Sequence, residues 1–113
     1  MKKLLLFFVS FLIFYFSYSQ NNTWYVNEIG NDVTGTGSFY NPWATISHAI
    51  SQSIAGDTIE ITGTITGDGV VTNGIIIDKD ITIIGQRFEY SIVQAELTPN
   101  TADRRIFTVN PGV

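Results

Sequence analysis

Three aspartates are the residues of this sequence best suited to metal or acid–base chemistry. Asp78 and Asp80 flank Lys79, so two carboxylates stand two residues apart between predicted strands. Such a pair could bind calcium or act as an acid and a base, or it could form a polar turn in which Lys79 neutralises both charges. Asp32, in a glycine-rich loop, could bind calcium together with nearby carbonyl groups or form an Asx turn. Asp32, Asp78 and Asp80 are therefore the candidate metal ligands.

Two further groups could contact a sugar. Arg104 and Arg105 follow one another at the end of the polar segment TPNTADRR. Their guanidinium groups could bind a uronate carboxylate through paired hydrogen bonds, or they could flank a sheet edge and keep it soluble. Trp24, Trp43 and Phe39 could form a surface on which a sugar ring stacks, and core packing is the alternative for both tryptophans. Arg104 and Arg105 are thus the candidate substrate-binding residues.

His48 is the single histidine, and the chain contains no cysteine. On the helix predicted around it, His48 lies opposite the apolar positions, which is typical of a surface histidine. Neither a second histidine nor a cysteine is present to complete a zinc-type ligand set. We therefore expect no metal site at His48, and no cofactor is evident from these residues.

The first nineteen residues have the pattern of a secretory signal peptide. Lys2 and Lys3 form a positive region, and residues 4–16 are apolar or aromatic with one exception. The small residues Ser17 and Ser19 fit cleavage after Ser19. The apolar run is shorter than the roughly 20 residues that cross a bilayer. The sequence thus predicts a secreted protein, extracellular or at the cell surface, with no membrane span after cleavage.

The charge of the secreted form limits its partners. Without Lys2 and Lys3, four of the six basic residues remain against ten acidic ones, a formal net charge of −6. Nucleic acids require a basic face for their phosphates, so we expect no nucleic-acid partner. Long-range attraction to an acidic polysaccharide is also disfavoured unless a cation intervenes.

Local patterns predict a strand, a loop and a helix before residue 57. Residues 23–26 are aromatic and β-branched, which is typical of a strand, and residues 30–38 are small, polar and glycine-rich, which is typical of a loop. A helix is predicted from Pro42 to Ala55, with Asn41 as its N-cap and Gly56 just past its end. Its apolar stripe comprises Trp43, Ile46, Ile50 and Ile54.

From residue 57 onward, short apolar runs recur at an interval of 22 residues. The matches are Ile59 with Ile81, Ile61 with Ile83, Gly63 with Gly85, Val70-Val71 with Ile92-Val93, and Ile75 with Leu97. A fixed period of this length indicates stacked coils of short strands, which pair about 4.8 Å apart. The pattern predicts a parallel β-helix, and a small antiparallel sandwich of β-hairpins is the alternative.

The segment from residue 23 onward resembles the N-terminal part of secreted bacterial right-handed β-helix proteins of the pectate-lyase-like superfamily. The matching motifs are Tyr25-Val26, Gly30-x-Asp32, Gly35-Thr36, Pro42, an amphipathic helix, Gly56-Asp57-Thr58-Ile59 and IIIDKDITIIGQ. The resemblance covers about residues 23–113. It implies an all-β fold, in which the first two to three coils of a right-handed parallel β-helix follow an N-terminal amphipathic capping helix.

These patterns divide the chain into three parts. Residues 1–19 are the predicted signal peptide, residues 20–56 the strand, loop and capping helix, and residues 57–113 the first β-helix coils, which we expect to be truncated. The helix would cover the isoleucines at the open end of the first coil. The last coil would lack such a cover, so we expect self-association through it.

The resemblance implies a carbohydrate-associated role without fixing an activity. The superfamily includes polysaccharide lyases and hydrolases as well as surface proteins of unknown role, and calcium is the cofactor it suggests. Catalytic residues in these proteins usually lie on middle coils, so we expect this chain alone to be inactive, whether or not a parent protein is an enzyme. A non-catalytic surface or adhesion spacer, and a truncated product without independent function, are the alternatives.

Overall fold

Short parallel strands and one short helix make up the structure, a computed structural model that describes residues 20–68, 74–87, 89–94 and 106–113. The elements in chain order are β1 (Thr23–Asn27), α1 (Ile46–Gln52), β2 (Thr58–Thr66), β3 (Ile75–Ile77), β4 (Thr82–Gly85), β5 (Ser91–Gln94) and β6 (Phe107–Val109). Within these ranges, no helix has the length and apolar character needed to cross a membrane. The predicted signal peptide, residues 1–19, lies outside the described residues.

Strand β2 is the centre of the main sheet. Its first half pairs in parallel with β1 on one side and with β4 on the other. Its second half, from Gly63 to Thr66, pairs in parallel with β5. Gly63 separates the two halves and has a φ of +81°, a backbone conformation that residues other than glycine rarely adopt. Strands β3 and β6 form a second, two-stranded parallel sheet.

The core lies between the main sheet and α1. Alternation along the strands puts Val26, Ile59 and Ile61 on the inner face, where all three are buried. Helix α1 packs against β1, β2 and β3 through its own buried residues. The full set of buried apolar residues is Val26, Trp43, Ile46, Ala49, Ile50, Ile59, Ile61, Ile65 and Ile75.

The helix is shorter than the sequence predicted, because the residues that flank α1 are extended. The backbone before α1 forms hydrogen bonds with β1 instead of helical hydrogen bonds. Trp43 N–H donates to the Tyr25 carbonyl over 3.0 Å, and the Trp43 carbonyl accepts from Asn27, so this segment lies extended beside β1. The N-cap is therefore Thr45 rather than Asn41, and its hydroxyl accepts from His48 N–H.

At the other end of α1, the chain is extended from Ser53 onward. Ile54, expected on the buried stripe, is therefore 50% exposed, whereas Ile46 is fully buried. Gly56 does take a positive φ of 95°, but it lies beyond Ser53, the C-cap of the helix.

The predicted all-β, right-handed parallel β-helix with an N-terminal capping helix is wrong. The described residues form a small domain of short strands and one short helix, and they contain no solenoid. The 22-residue period is not the spacing of the strands. Strand partners are instead separated by 24 residues at Ile59 and Ile83, by 28 at Ile65 and Val93, and by 32 at Ile75 and Phe107.

A solenoid with a fixed repeat needs one constant offset, and here the offset varies, starting at 35 residues between Thr23 and Thr58. Ile59 pairs with Ile83 rather than with Ile81, and Gly85 lies opposite Ile61 rather than Gly63. The apparent 22-residue repeat therefore reflects the similar composition of several isoleucine-rich strands and not their pairing. Two of its matches, at Val70-Val71 and Leu97, lie outside the described residues, and self-association through the end of the chain stays a prediction.

Candidate functional site

A cleft of about 160 Å³ lies on the outer face of the main sheet. Tyr25 and Asn27 alternate with the buried residues of β1, and their register partners on β2 are Glu60 and Thr62. Gln86 follows directly after β4, on the far side of β2. The cleft is lined by Tyr25, Val26, Asn27, Phe39, Pro42, Thr62, Gln86 and Glu89.

Polar side chains from three segments are fixed within the cleft. The Thr62 hydroxyl donates to Gln86 Oε1 over 2.7 Å. This bond engages the amide oxygen, so Nε2 is the atom of Gln86 that can donate to a ligand. Asn27 Oδ1 accepts from Ile29 N–H over 2.9 Å, which sets the orientation of the Asn27 amide in the same way.

Aromatic rings form one wall of the cleft and extend beyond it. The Tyr25 and Phe39 rings meet edge to face with centroids 5.4 Å apart, and the Phe39 and Tyr40 rings meet likewise at 5.2 Å. Phe39 is 55% exposed and Tyr40 94% exposed, so both rings face solvent. We call Tyr25, Phe39 and Tyr40 the aromatic wall. Such a row presents apolar surface next to hydrogen-bonding groups.

A separate pair of tryptophans belongs to the interior. The Trp24 and Trp43 rings lie 5.0 Å apart at an interplanar angle of 30°. Trp43 Nε1 donates to the Gly35 carbonyl, and Trp24 Nε1 donates to the Asp57 carboxylate. Trp43 is buried and Trp24 packs against the core, as expected for core residues, and Phe39 is the member of the predicted stacking group that lines the cleft.

Asp57 is a buried carboxylate that the sequence analysis did not single out. It accepts hydrogen bonds from Asn22 N–H, Ile54 N–H and Trp24 Nε1–H at 2.8–3.0 Å. Burial alone would raise the pKa of Asp57, but these three bonds favour the carboxylate and hold its pKa below the ordinary 3.8. A signal was available, because a partly buried indole N–H requires an acceptor and Asp57 immediately precedes β2, the strand that pairs with β1 at Trp24.

Asp32, predicted as a metal ligand or Asx turn, anchors the segment before α1. Its carboxylate accepts from Ala44 N–H over 2.7 Å, from Thr45 N–H over 3.1 Å and from the Thr45 hydroxyl over 2.6 Å. Burial alone would raise the pKa of Asp32, and the bonds from Thr45 and Ala44 outweigh it, so the pKa lies below 3.8. Both oxygens are engaged by the protein, which suits a structural role better than calcium binding.

Asp68 makes a similar contact that was not predicted. Asp68 Oδ2 accepts from Ile46 N–H over 2.5 Å and from Ser47 N–H over 3.0 Å. These amides belong to the first turn of α1, where N–H groups lack partners within the helix. A carboxylate just beyond the end of β2 thereby fixes the helix to the sheet. Asp68 lies 22 residues after Ile46 and 21 after Ser47, so no local sequence pattern indicates this contact.

Lys79 holds the opposite end of the helix. Its Nζ donates to the Ile50 carbonyl over 2.8 Å and to the Ser53 carbonyl over 3.2 Å. The Asp78 carboxylate lies 3.7 Å from the same ammonium group, and the Asp80 carbonyl accepts from Gly56 N–H. The Asp78-Lys79-Asp80 segment thus secures α1 through Lys79 rather than simply neutralising two carboxylates.

The other predicted site residues do not join the cleft. His48 is half-buried, and its ring meets Trp43 edge-on at 5.0 Å, so it is less exposed than expected. Arg104 and Arg105 lie outside the described residues. Among the residues the structure describes, no group of three histidines, aspartates or glutamates could hold a metal ion.

Comparisons with known proteins do not assign the chain to a family. No protein-family model, no curated protein and no solved structure matches the chain.

Proposed function

We propose that this chain is an extracellular carbohydrate-binding domain that holds a polysaccharide in the cleft on the main sheet. The observation that carries the proposal is the aromatic wall beside fixed polar groups. A sugar ring has an apolar C–H face that packs on aromatic rings and hydroxyl groups that bind amides and carboxylates. Phe39 supplies the first surface, and Gln86 and Glu89 supply the second.

The size of the cleft favours one unit of a chain over an isolated small molecule. Its volume of about 160 Å³ is below the roughly 300–1,000 Å³ typical of small-molecule pockets. Tyr40 extends the aromatic wall beyond the cleft and is 94% exposed. A polymer can place one sugar in the cleft and a neighbouring sugar against Tyr40, whereas a single sugar would leave that ring unused.

The location proposed for this activity comes from the sequence. Residues 1–19 carry the positive, apolar and small-residue regions of a secretory signal peptide. An extracellular location would bring the cleft to cell-wall or matrix polysaccharides. A role as a surface spacer without ligand binding is the competing interpretation, and it predicts that no polysaccharide binds.

Affinity electrophoresis on a panel of soluble polysaccharides tests the proposal. The unmodified chain is expected to be retarded by at least one neutral polysaccharide in the panel. Phe39→Ala is expected to weaken that binding by roughly five- to tenfold, because an aromatic ring contact is worth on the order of 1–1.5 kcal/mol.

Val33→Ala is the matched control, because Val33 is 91% exposed and does not line the cleft. It should bind as the unmodified chain does, and circular dichroism should confirm that both variants fold. Absence of binding to every polysaccharide would overturn the proposal, and so would an equal loss in Val33→Ala.

A further inference from the structure

We propose that the cleft selects neutral sugar chains and rejects uronate chains, an inference that rests on the proposed function. Its basis is the charge around the site. Among the eight described residues that line the cleft, Glu89 is the one with a charged side chain. No lysine or arginine is among them to receive a sugar carboxylate.

Two more carboxylates lie close to the same face. Glu60 is the register partner of Tyr25, two residues before Thr62 on the same side of β2. Glu28 follows the cleft residue Asn27 on the chain, and its Oε2 accepts from Thr64 N–H over 3.0 Å. A uronate in the cleft would therefore bring its negative charge next to Glu89, on the face of the sheet that also carries Glu60.

The charge of the whole molecule acts in the same direction. The secreted form has a formal net charge of −6 on the basis of its sequence, so its field repels polyanions as they approach. Arg87 follows Gln86 but does not line the cleft. Selection against uronates thus comes from repulsion, which is a common means of achieving specificity.

The same carboxylate favours neutral sugars. Glu89 can accept hydrogen bonds from sugar hydroxyl groups, and bonds to an ionised acceptor are stronger than those between neutral groups. Gln86 Nε2 can donate to a ring or hydroxyl oxygen at the other side of the cleft. A neutral hexose can use both groups, whereas a uronate has a carboxylate in place of its C6 hydroxyl group, and Glu89 repels that carboxylate.

Isothermal titration calorimetry with size-matched oligosaccharides tests the selectivity. The probes are a neutral hexose oligomer, chosen from the polysaccharide bound best in the panel, and oligogalacturonate of the same length. At low ionic strength the neutral oligomer is expected to bind about tenfold more tightly or better. The difference should narrow in about 1 M salt, where charges are screened within about 3 Å.

Glu89→Gln keeps the shape of the side chain and removes its charge. It is expected to raise the affinity for oligogalacturonate several-fold and to lower the affinity for the neutral oligomer, since a neutral acceptor binds hydroxyl groups less strongly. Asp78→Asn is the control, because it removes the same charge at an exposed position that does not line the cleft. This control should leave the ratio of the two affinities unchanged.

The outcomes separate the two proposals. Equal or tighter binding of oligogalacturonate would overturn the selectivity and leave the carbohydrate-binding function standing. An unchanged ratio in Glu89→Gln would also overturn it, since the cleft carboxylate would then not be the cause. Absence of binding for both oligomers would overturn the proposed function and the selectivity with it.

Discussion

The indole N–H of Trp24 donates to the carboxylate of Asp57 over 2.8 Å, joining residues 33 positions apart in the chain. The same carboxylate accepts Ile54 N–H, just beyond α1, and Asn22 N–H, just before β1. Asp57 is itself only 1% exposed. A single buried anion therefore ties the start of β1, the end of the helical segment and the start of β2 into one unit.

Replacing this carboxylate tests its structural role. Asp57→Asn has nearly the same shape, but its amide nitrogen replaces one carboxylate oxygen, so at least one of the three N–H donors loses its acceptor and faces an NH₂ group instead. We expect a loss of about 2–3 kcal/mol in the free energy of unfolding, measured by urea denaturation. Asp80→Asn is the control, since the Asp80 side chain is exposed, and it should stay within about 0.5 kcal/mol of the unmodified chain. A near-neutral Asp57→Asn would contradict the role assigned to this residue.

The stability of the chain should fall in acid. The pKa values of Asp57 and Asp32 are both held below 3.8 in the folded protein, so at pH values between those folded values and 3.8 the unfolded chain binds more protons. Their contribution is complete above the unfolded pKa and is lost as pH falls through the folded values. Thermal melting between about pH 2.5 and 7 should show a plateau at the upper end and a decline below about pH 4.

The variant Asp57→Asn supplies the matched comparison for this pH profile. It should melt at lower temperature at neutral pH and lose less stability on acidification than the unmodified chain. Identical slopes in acid for the two proteins would show that Asp57 does not contribute to the pH dependence.

The contact of Lys79 with the C-terminal end of α1 gives a further test. Lys79→Met keeps the length of the side chain and removes the donor to the Ile50 and Ser53 carbonyls. We expect a loss of about 1–2 kcal/mol in the free energy of unfolding, because a cation near a helix C-terminus stabilises the helix through its partial negative charge. Asp78→Asn should cost less than about 0.5 kcal/mol, since exposed ion pairs contribute little. If the two variants lost equal stability, the Asp78 ion pair rather than the helix contact would be the important one.

Two isoleucines on the predicted stripe of the helix should behave differently. Ile46 is fully buried and Ile54 is 50% exposed. Ile46→Ala should cost about 2–4 kcal/mol in the free energy of unfolding, because it leaves a cavity between α1 and the sheet. Ile54→Ala should cost less than about 1 kcal/mol. Both variants would be measured by urea denaturation. Equal losses in the free energy of unfolding would contradict the end of α1 at Gln52, which leaves Ile54 outside the helix.

This difference shows what the local pattern could predict. Spacing placed Ile46 and Ile50 correctly on a buried stripe, because helical periodicity is a local property. The ends of the helix depend on distant residues. Trp43 uses its backbone to pair with β1, and Lys79 binds the carbonyls at the far end. Neither contact can be predicted from the sequence of the helix itself.

Strand pairing was harder to predict than the strands. The alternation of Ile59 and Ile61 correctly indicated a strand, but it could not say which isoleucine lies opposite. Ile81 and Ile83 have the same chemistry, and the structure pairs Ile59 with Ile83. The register depends on the turns between strands, so an apparent period in isoleucine-rich sequence predicted the wrong fold.

The cleft could be predicted only in part. Tyr25 and Asn27 alternate with Val26, which indicates that they share the outer face of a strand. Phe39 comes from a loop, and Gln86 and Glu89 follow a different strand, so their convergence required the tertiary structure. The sequence indicated Phe39 as a possible stacking surface, but the polar candidates were aspartates and arginines, because those residue types carry recognisable chemistry without any neighbours.

Chemical-shift mapping of the chain with a neutral oligosaccharide tests the central claim most directly. Amide signals should shift on titration at residues from three separate segments of the cleft, namely Tyr25 and Asn27, Phe39, and Gln86 and Glu89. Signals of α1 and of residues 78–80 should remain unchanged. Shifts restricted to the helix or to residues 78–80, or no shifts with any oligosaccharide, would contradict the assignment of this cleft as a carbohydrate-binding site.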